Sequence, residues 1–350
     1  MKLNQRFEED LDFILKELKE EFKKIKNEKI FITGGTGFFG KWFLGSILRA
    51  NEKLNTNIKI GVLSRNPEKF KKNFPYLSNE KYVNFYKGDI RNFDFPNEKF
   101  SYIIHGASAS AEGWFKGENQ IIRIETITAG TKRILEFAKK NKIKGFLYMS
   151  SGKVYGTHSD IYEKIPEYYC GNLCFEDPNA ALSIGKKMAE FLTLEYSKNY
   201  NIPVKIARGF AFVGPYLQLN LHYAIGNFIR DALKGGPIVI KGDGKALRSY
   251  LYAADAIIWF FKILINSKNR SIYNVGSENI VSIKEVAELI NSVSNKKMEI
   301  IIQKKEISKK VDKYIPSTKK IKEELGVREY TSLKDAIIKT IDFYRKEGLK

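Results

Sequence analysis

Cysteine is almost absent from this chain of 350 residues, which contains only Cys170 and Cys174. No cluster of other metal-ligating residues accompanies the two, so the sequence predicts no metal site. Sparse cysteine is typical of proteins from a reducing compartment, and we expect a cytoplasmic protein. Long apolar runs are also missing, and the first residues carry too many charges for a signal peptide. We therefore expect no contact with a membrane.

Acidic residues are fewer than basic ones, 40 against 60, and the formal net charge is +20. The lysines alternate with glutamates along the whole chain. They form no dense basic block with interleaved aromatic residues, which would be typical of a nucleic-acid surface. We predict no nucleic-acid partner and interpret the charge as a solvated, lysine-rich surface. Its positive field would also attract polyphosphate ligands.

A glycine-rich turn is the most informative feature that is present. It follows the apolar run 30–32 and precedes a predicted helix. Such a turn places a dinucleotide pyrophosphate at a helix N-terminus, because glycine allows the sharp turn, the approach of backbone to phosphate and close helix packing. The residues expected to bind the cofactor here are Gly34, Thr36, Gly37, Phe38, Phe39 and Gly40.

Strand-like and helix-like stretches alternate from residue 29 onwards. This alternation, with short apolar strands, predicts an α/β fold with a Rossmann-type, doubly wound parallel sheet. The predicted strands are 29–33, 58–63, 82–87, 101–105, 145–150, 203–207 and 271–275. The predicted helices are 41–50, 121–140, 180–199, 222–234, 253–266 and 283–294, after an amphipathic N-terminal helix over 5–27.

The same patterns divide the chain into three parts. An N-terminal helical segment is expected over 1–28, and a dinucleotide-binding domain over 29–208, to which 250–277 returns. Residues 209–249 lack the regular alternation and are rich in glycine. With 278–350, they are expected to form a smaller α/β lobe that binds the substrate at the carboxyl edge of the sheet.

The end of the second predicted strand carries Ser64 and Arg65. An acidic residue there would bind the 2′-hydroxyl of NAD, whereas a hydroxyl and a guanidinium suit the 2′-phosphate of NADP. We therefore favour NADP over NAD. The alternative is that Arg65 only stacks on the adenine, which leaves NAD open.

Two further strand ends are expected to contact the cofactor. After the third strand, Asp89 could accept a hydrogen bond from the adenine amino group and Ile90 could pack against the ring. After the fourth, Gly106, Ala107 and Ser108 are small enough for the cofactor to lie close to the backbone.

Several motifs occur together in a familiar order. They are 33–40, 88–90, 150–156, 185–186, 214–215, 242–244 with Arg248, Asp255, and 273–277. With them, the chain from residue 29 to about 344 resembles the extended short-chain dehydrogenases, the NAD-dependent epimerase/dehydratase group that acts on nucleotide sugars. The resemblance implies oxidation of a sugar at C4 by hydride transfer to a nicotinamide.

The resemblance also implies roles for individual residues. Ser151 holds the position that hydrogen-bonds the reacting hydroxyl, and Lys186 holds the lysine of the family's Tyr-x-x-x-Lys pair, which binds the nicotinamide ribose and lowers the tyrosine's pKa. The tyrosine position is Leu182, which has no titratable group. Three readings stay open: Tyr168 or Tyr169 supplies the base, Lys186 is itself the base, or the protein binds dinucleotide without catalysis.

Two positions bear on the type of reaction. The family's sugar dehydratases have an acid–base carboxylate pair where this chain has Gly152 and Lys153. The Gly-Lys-Lys turn at 185–187 and the stretch 227–229 look closest to UDP-glucuronate decarboxylases, but these have a glutamate at the position of Lys153. Lys153 could bind a substrate carboxylate or a developing oxyanion, or be an exposed turn lysine.

The expected activity is therefore an NAD(P)-dependent modification of a nucleoside-diphosphate sugar, most consistent with an epimerase. A dehydratase, a decarboxylase, a 4-dehydrogenase or reductase, and a non-catalytic binder are the alternatives. Asn227 and Arg248 resemble residues that bind the nucleotide diphosphate. The resemblance also implies a homodimer.

Overall fold

The computed structural model describes residues 3–108, 117, 119–157, 161–177, 180–221, 223–304 and 311–348. The first residue of the predicted helix 222–234 lies outside this part of the chain. In chain order, the strands are β1 (Lys29–Thr33), β2 (Lys59–Ser64), β3 (Val83–Lys87), β4 (Tyr102–His105), β5 (Gly145–Ser151), β6 (Val204–Gly209), β7 (Phe212–Val213), β8 (Ile238–Ile240), β9 (Leu247–Arg248), β10 (Leu251–Tyr252), β11 (Ser271–Val275), β12 (Val281–Ser282), β13 (Ile300–Ile302) and β14 (Lys313–Tyr314).

Helices separate most of these strands. They are α1 (Gln5–Glu17), α2 (Lys19–Lys24), α3 (Phe38–Leu54), α4 (Pro67–Asn73), α5 (Gln120–Asn141), α6 (Ala181–Tyr200), α7 (Ala224–Lys234), α8 (Ala253–Asn266), α9 (Ile283–Ser292), α10 (Lys319–Leu325) and α11 (Leu333–Glu347). Side chains at the N-caps fix several starts: Asn119 accepts the Ile121 N–H before α5, and Ser282 forms a capping box with Glu285 at α9.

The central sheet has seven parallel strands in the order β11-β6-β5-β4-β1-β2-β3. This order reverses direction between β1 and β4, which is where doubly wound sheets bind ligands. The predicted fold class is confirmed, and every predicted strand is found to within two residues. Sequence periodicity works well here because both faces of the sheet are buried and the strands are almost continuously apolar.

The N-terminal segment differs from the prediction. The single helix predicted over 5–27 is wrong, because the chain breaks at Leu18 (φ −112°, ψ 17°) between α1 and α2. Most of its apolar face is nevertheless buried: Phe7, Leu11, Ile14, Leu18, Phe22 and Ile25 are buried, and Leu15 is half-buried. Asp10 is buried among them, accepts hydrogen bonds from Lys339 and Tyr252, and ties α1 to α11 and to β10.

Short strands build the remaining part of the molecule at the carboxyl edge of the sheet. β7 pairs with β10 and β8 with β13, while β9 pairs with β12 and β14. The chain 161–177 also reaches this region, since Ile165 bridges Pro316 just after β14. One hydrophobic cluster runs from α1 and α3 through α8 into α9 and α11, so these short strands share a core with the main sheet. Among the described residues, no helix is long and apolar enough to cross a membrane.

Candidate active site

The glycine turn after β1 is built for close backbone contacts. Gly34 has φ +75°, and a Cβ there would lie 2.8 Å from the backbone nitrogen of Ala107. A Cβ on Gly40 would lie 2.2 Å from the carbonyl carbon of Gly35, so α3 packs directly on the turn. Gly37 is the N-cap of α3 and has no side chain to occupy the space in front of its first amides. The residues therefore fit a pyrophosphate at this helix N-terminus.

A cavity opens between this turn and the end of β4. Its lining includes Thr33, Gly34, Gly37, Phe38, Gly106 and Met149. Gly106 donates its N–H to the Thr33 carbonyl, and Ala107 donates its N–H to the Thr33 hydroxyl. A Cβ on Gly106 would lie 3.1 Å from the Met149 sulfur. Any larger residue at this wall, formed by the end of β4, would therefore narrow the cavity. Ser108 follows, half-buried, at the end of the described stretch.

His105 lies directly behind this wall and is structural. Its Nδ1 hydrogen-bonds Thr33 at 2.7 Å, and its Nε2 hydrogen-bonds Thr131 at 3.0 Å. Burial, with the nearby charge of Lys186, lowers its pKa to about 3, so the ring is neutral at physiological pH. A histidine with both nitrogens engaged in the core is not available for proton transfer with a substrate.

The residues expected at the adenosine end lie on neighbouring strand ends. Ser64 is buried and its hydroxyl accepts the Asn66 N–H, whereas Arg65 is exposed. Asp89 forms an ion pair with Arg91, with its Oδ1 2.8 Å from the Arg91 Nε, and this hydrogen bond lowers the Asp89 pKa. The carboxylate that was expected to receive the adenine amino group is therefore already paired.

Ile90, the neighbour of Asp89, is buried against α5. A Cβ added at Gly130 in that helix would lie 2.9 Å from an Ile90 methyl carbon. Ile90 is 7% exposed and belongs to the hydrophobic cluster beneath this side of the sheet.

Ser151 ends β5 at the same edge of the sheet. Its hydroxyl accepts the Lys153 N–H at 3.2 Å, and the Tyr314 hydroxyl lies close to the neighbouring Gly152. The Lys153 ammonium lies 5.1 Å from the centroid of the Tyr314 ring, and burial lowers the Lys153 pKa. Taken as a whole residue, Lys153 is exposed, as a turn lysine would be, and its ammonium also faces an aromatic ring near Ser151.

Lys186 enters from α6. Its Nζ donates to the Met149 carbonyl at 2.8 Å and lies 4.8 Å from the centroid of the Tyr148 ring. Burial lowers its pKa to about 8, although Glu190 opposes this. Leu182 lies one turn earlier on the same helix face and packs against the hydrophobic cluster that contains Ile127 and Ala189.

A buried polar network supports the end of β5 from behind. Glu190 accepts hydrogen bonds from Ser150 at 2.5 Å and from Arg208, with which it forms an ion pair at 2.7 Å. Arg208 also donates to the Tyr155 hydroxyl, which in turn donates to Asn274. These contacts make Arg208 a structural residue that fixes the strand end next to Ser151.

The two tyrosines proposed as bases lie in different surroundings. Tyr168 is 75% exposed and its ring contacts Tyr162. Tyr169 is half-buried and stacks on Tyr155, with 6.1 Å between ring centroids. Within the part of the chain that the structure describes, neither hydroxyl hydrogen-bonds Ser151, and an exposed ring such as that of Tyr168 is poorly held for proton transfer.

The expected diphosphate residues lie on β9 and α7. Arg248 pairs with Asp312 at 2.5 Å and lies opposite Tyr314 in the β9–β14 pairing. Asn227 lies in the first turn of α7 and accepts a hydrogen bond from Arg230 at 3.1 Å. Arg248 therefore joins the cluster around Ser151, and Asn227 lies near the start of the helix expected to face the diphosphate.

Sequence reasoning missed Tyr314 and Lys41. Tyr314 lies in a two-residue strand, β14, so no periodic pattern marked it. Lys41 follows the last glycine of the turn, donates to the Thr36 carbonyl at 3.3 Å, and has a pKa lowered by burial to about 8. The position of Lys41 directly after the glycine turn could have identified it as a site residue from the sequence.

Comparison with known proteins agrees with this architecture. The family model "NAD dependent epimerase/dehydratase family" matches residues 30–276. The chain is 28% identical to UDP-glucuronic acid decarboxylase 1 of Xenopus tropicalis over 324 residues, which is 91% of this chain and 73% of that protein. It is 31% identical to dTDP-D-glucose 4,6-dehydratase of Dictyostelium discoideum over 286 residues, covering 76% of this chain and 62% of that one.

Solved structures give the same fold. UDP-glucuronic acid 4-epimerase from Bacillus cereus, in complex with UDP-glucuronic acid and NAD, superposes with a TM-score of 0.77 at 23% identity, covering 91% of this chain and 99% of that one. Pal from Bacillus thuringiensis gives a TM-score of 0.75 at 26% identity, again over 91% and 99%. The chain belongs to the NAD dependent epimerase/dehydratase family of enzymes.

Proposed function

We propose that this protein oxidises C4 of a nucleoside-diphosphate sugar and then returns the hydride, as an epimerase does. The proposal rests on three features that lie together at the carboxyl edge of the main sheet. These are the glycine cradle after β1, the Ser151 hydroxyl at the end of β5, and the buried Lys186 of α6. The names of the relatives support the substrate class, since they are enzymes of UDP- and dTDP-sugars.

The cofactor that we propose is NAD. The earlier preference for NADP rested on Ser64 and Arg65, and neither the family description nor the neighbouring structures support it. Gly34, Gly37 and Gly106 would hold the dinucleotide, because their missing side chains leave the space that it needs. When bound, it supplies a hydride acceptor for the sugar carbon.

Ser151 would orient the C4 hydroxyl, since its side chain stands at the end of the central strand β5. Lys186 would hold the cofactor ribose. Its lowered pKa reflects burial, and a hydrogen-bonding ligand there would stabilise the ammonium. Arg248 and Asn227 would bind the diphosphate, Arg248 by exchanging part of its pairing with Asp312.

The type of reaction follows from what stands beside Ser151. Elimination of water needs an acid and a base, and this chain offers Gly152 and Lys153 at the positions of the dehydratase carboxylates. The same lysine replaces the glutamate of the decarboxylases. Oxidation and return of the hydride need neither carboxylate, so an epimerase-type reaction is the best supported. We also propose a homodimer, because α5 and α6 expose Ile121 and Phe191.

Mass spectrometry tests the proposal. The purified protein is incubated in D2O with NAD or NADP and a panel of UDP-, dTDP-, GDP- and CDP-sugars. A new isomer at unchanged composition is expected, with Ser151→Ala reducing turnover at least 100-fold and the surface control Ser292→Ala leaving it unchanged. Loss of water, carbon dioxide or two hydrogens would instead identify a dehydratase, a decarboxylase or a dehydrogenase. Dinucleotide binding without conversion of any sugar would favour the non-catalytic reading of Leu182.

A further inference from the structure

The absence of a tyrosine at position 182 leaves the site without its expected proton acceptor, but another phenol lies at the same serine. The Tyr314 hydroxyl lies beside the residue that follows Ser151, 2.8 Å from the position that a Cβ at Gly152 would occupy. Tyr314 comes from β14, which pairs in parallel with β9 so that Tyr314 lies opposite Arg248. It therefore approaches Ser151 from the short strands at the sheet edge, whereas position 182 lies on α6.

Gly152 makes this approach possible. A Cβ at Gly152 would lie 2.8 Å from the Tyr314 hydroxyl and 2.7 Å from the Phe210 ring. Contacts below about 3 Å would force one of these groups to move. The position where related dehydratases carry a carboxylate is thus occupied, in this chain, by the Tyr314 hydroxyl group.

The Tyr314 ring is held firmly. Phe210 packs against one side with 4.7 Å between ring centroids, and the Lys153 ammonium lies 5.1 Å from the centroid. The backbone on both sides is fixed, because the Asp312 carbonyl accepts the Leu247 N–H and the Ile315 carbonyl accepts the Ile165 N–H. A phenol fixed in this way can meet a substrate hydroxyl in one orientation, as proton transfer requires.

The geometry points to Tyr314 as the catalytic residue that exchanges the proton of the substrate's C4 hydroxyl, in place of the tyrosine missing at Leu182. This inference rests on the proposed function. In the oxidation, the O–H bond at C4 breaks and its proton moves to the Tyr314 phenolate oxygen. The C–H bond at C4 breaks as well, and its hydride carries both electrons to the oxidised dinucleotide. The carbon loses two electrons and the dinucleotide gains two, and the return step reverses both transfers.

The charges that face Tyr314 bear on its titration. Burial is the largest influence and holds the Tyr314 pKa well above that of a free phenol; the Ser151 side chain and the charge of Arg248 lower it, and Tyr223 and Tyr155 oppose ionisation. The ammonium of Lys153 also faces the ring and favours the phenolate. Because the Tyr314 pKa stays raised, the rise of activity with pH that accompanies its ionisation should lie in the alkaline range.

Replacement of Tyr314 by Phe tests the inference. Tyr314→Phe should lower kcat roughly 100- to 10,000-fold, the usual range for loss of an acid–base group. It should also remove the rise of activity with pH, and leave the Kd for UDP, measured by calorimetry, within threefold. The control Tyr162→Phe removes a hydroxyl from a ring in the nearby loop and should leave all three quantities unchanged.

Rescue distinguishes chemistry from structure. Leu182→Tyr in the Tyr314→Phe background restores a phenol at the family position, and should regain at least tenfold in kcat. Should Tyr314→Phe fail to fold, Gly152→Ala gives the second test, because its Cβ displaces the phenol while Tyr314 remains, and it should also lose turnover. If the wild type converts a sugar and Tyr314→Phe keeps its rate and pH profile, the inference is wrong and the proposed function stands. If the wild type converts no sugar, both fail.

Discussion

Loss of the Arg208 guanidinium should destabilise the protein far more than loss of a surface arginine. The side chains of Arg208 and Glu190 are 10% and 5% exposed, and their closest atoms are 2.7 Å apart. Arg208→Met leaves the buried Glu190 carboxylate with Ser150 as its remaining described donor. An uncompensated buried charge costs about 3–5 kcal/mol of unfolding free energy. Arg6, which is only partly buried and pairs with Glu9 and Asp342, is the control, and Arg6→Met should cost under about 1 kcal/mol.

Guanidinium unfolding followed by tryptophan fluorescence measures this difference, provided that the m-value is the same in each variant. The decisive comparison is the double variant Arg208→Met with Glu190→Gln. Because glutamine is neutral and can still accept the Ser150 hydrogen bond, the double variant should recover most of the lost free energy. If it is less stable than Arg208→Met alone, the stranded charge is not the cause and the reasoning is refuted.

Three other results are expected. The pKa of His105 is about 3 in the folded protein and about 6.5 in the unfolded chain. The contribution of the neutral ring to the free energy of unfolding is therefore complete above pH 6.5 and is lost as the pH falls towards 3. Wild type should lose about 2 kcal/mol more than His105→Asn between pH 7.5 and pH 5 in urea unfolding; equal losses would contradict this. NAD should bind more tightly than NADP in calorimetry, and Arg65→Ala should change the NAD Kd less than threefold. If NADP binds more tightly and Arg65→Ala abolishes that preference, Arg65 binds the 2′-phosphate and the cofactor is NADP. Phe191→Asp on α6 should halve the molar mass measured by light scattering, from that of a dimer to that of a monomer. If the molar mass of a dimer is unchanged, Phe191 does not lie in the dimer interface.

The main sheet could be predicted from sequence because its strands are buried on both faces. An apolar run such as Ile30–Ile32 at the start, followed by the glycines of the turn, leaves little choice of structure. The long helices were equally clear, since each repeats an apolar face over several turns. The break at Leu18 was not predictable, because its neighbours Ile14 and Phe22 continue the helical spacing and only packing against the core separates α1 from α2.

The short strands of the small lobe were out of reach for a different reason. β9 and β14 contain two residues each, so neither has a period that could be read, and they form only because β9 lies between β12 and β14. Their side chains carry much of the candidate chemistry, including Arg248 and Tyr314. The cofactor half of the site is local in sequence and was therefore accessible, whereas the substrate half is assembled from distant segments.

The two largest departures from the family pattern can be understood together. Leu182 removes a phenol from α6, and Gly152 removes a side chain from the turn after Ser151. Taken separately, each suggests a weakened enzyme. In the structure, the space left at Gly152 receives the Tyr314 hydroxyl, next to Ser151. A Cβ at Gly152 would meet both that phenol and the Phe210 ring, so the glycine is what admits the phenol next to Ser151. The pair of departures therefore favours a relocated proton acceptor over a non-catalytic binder.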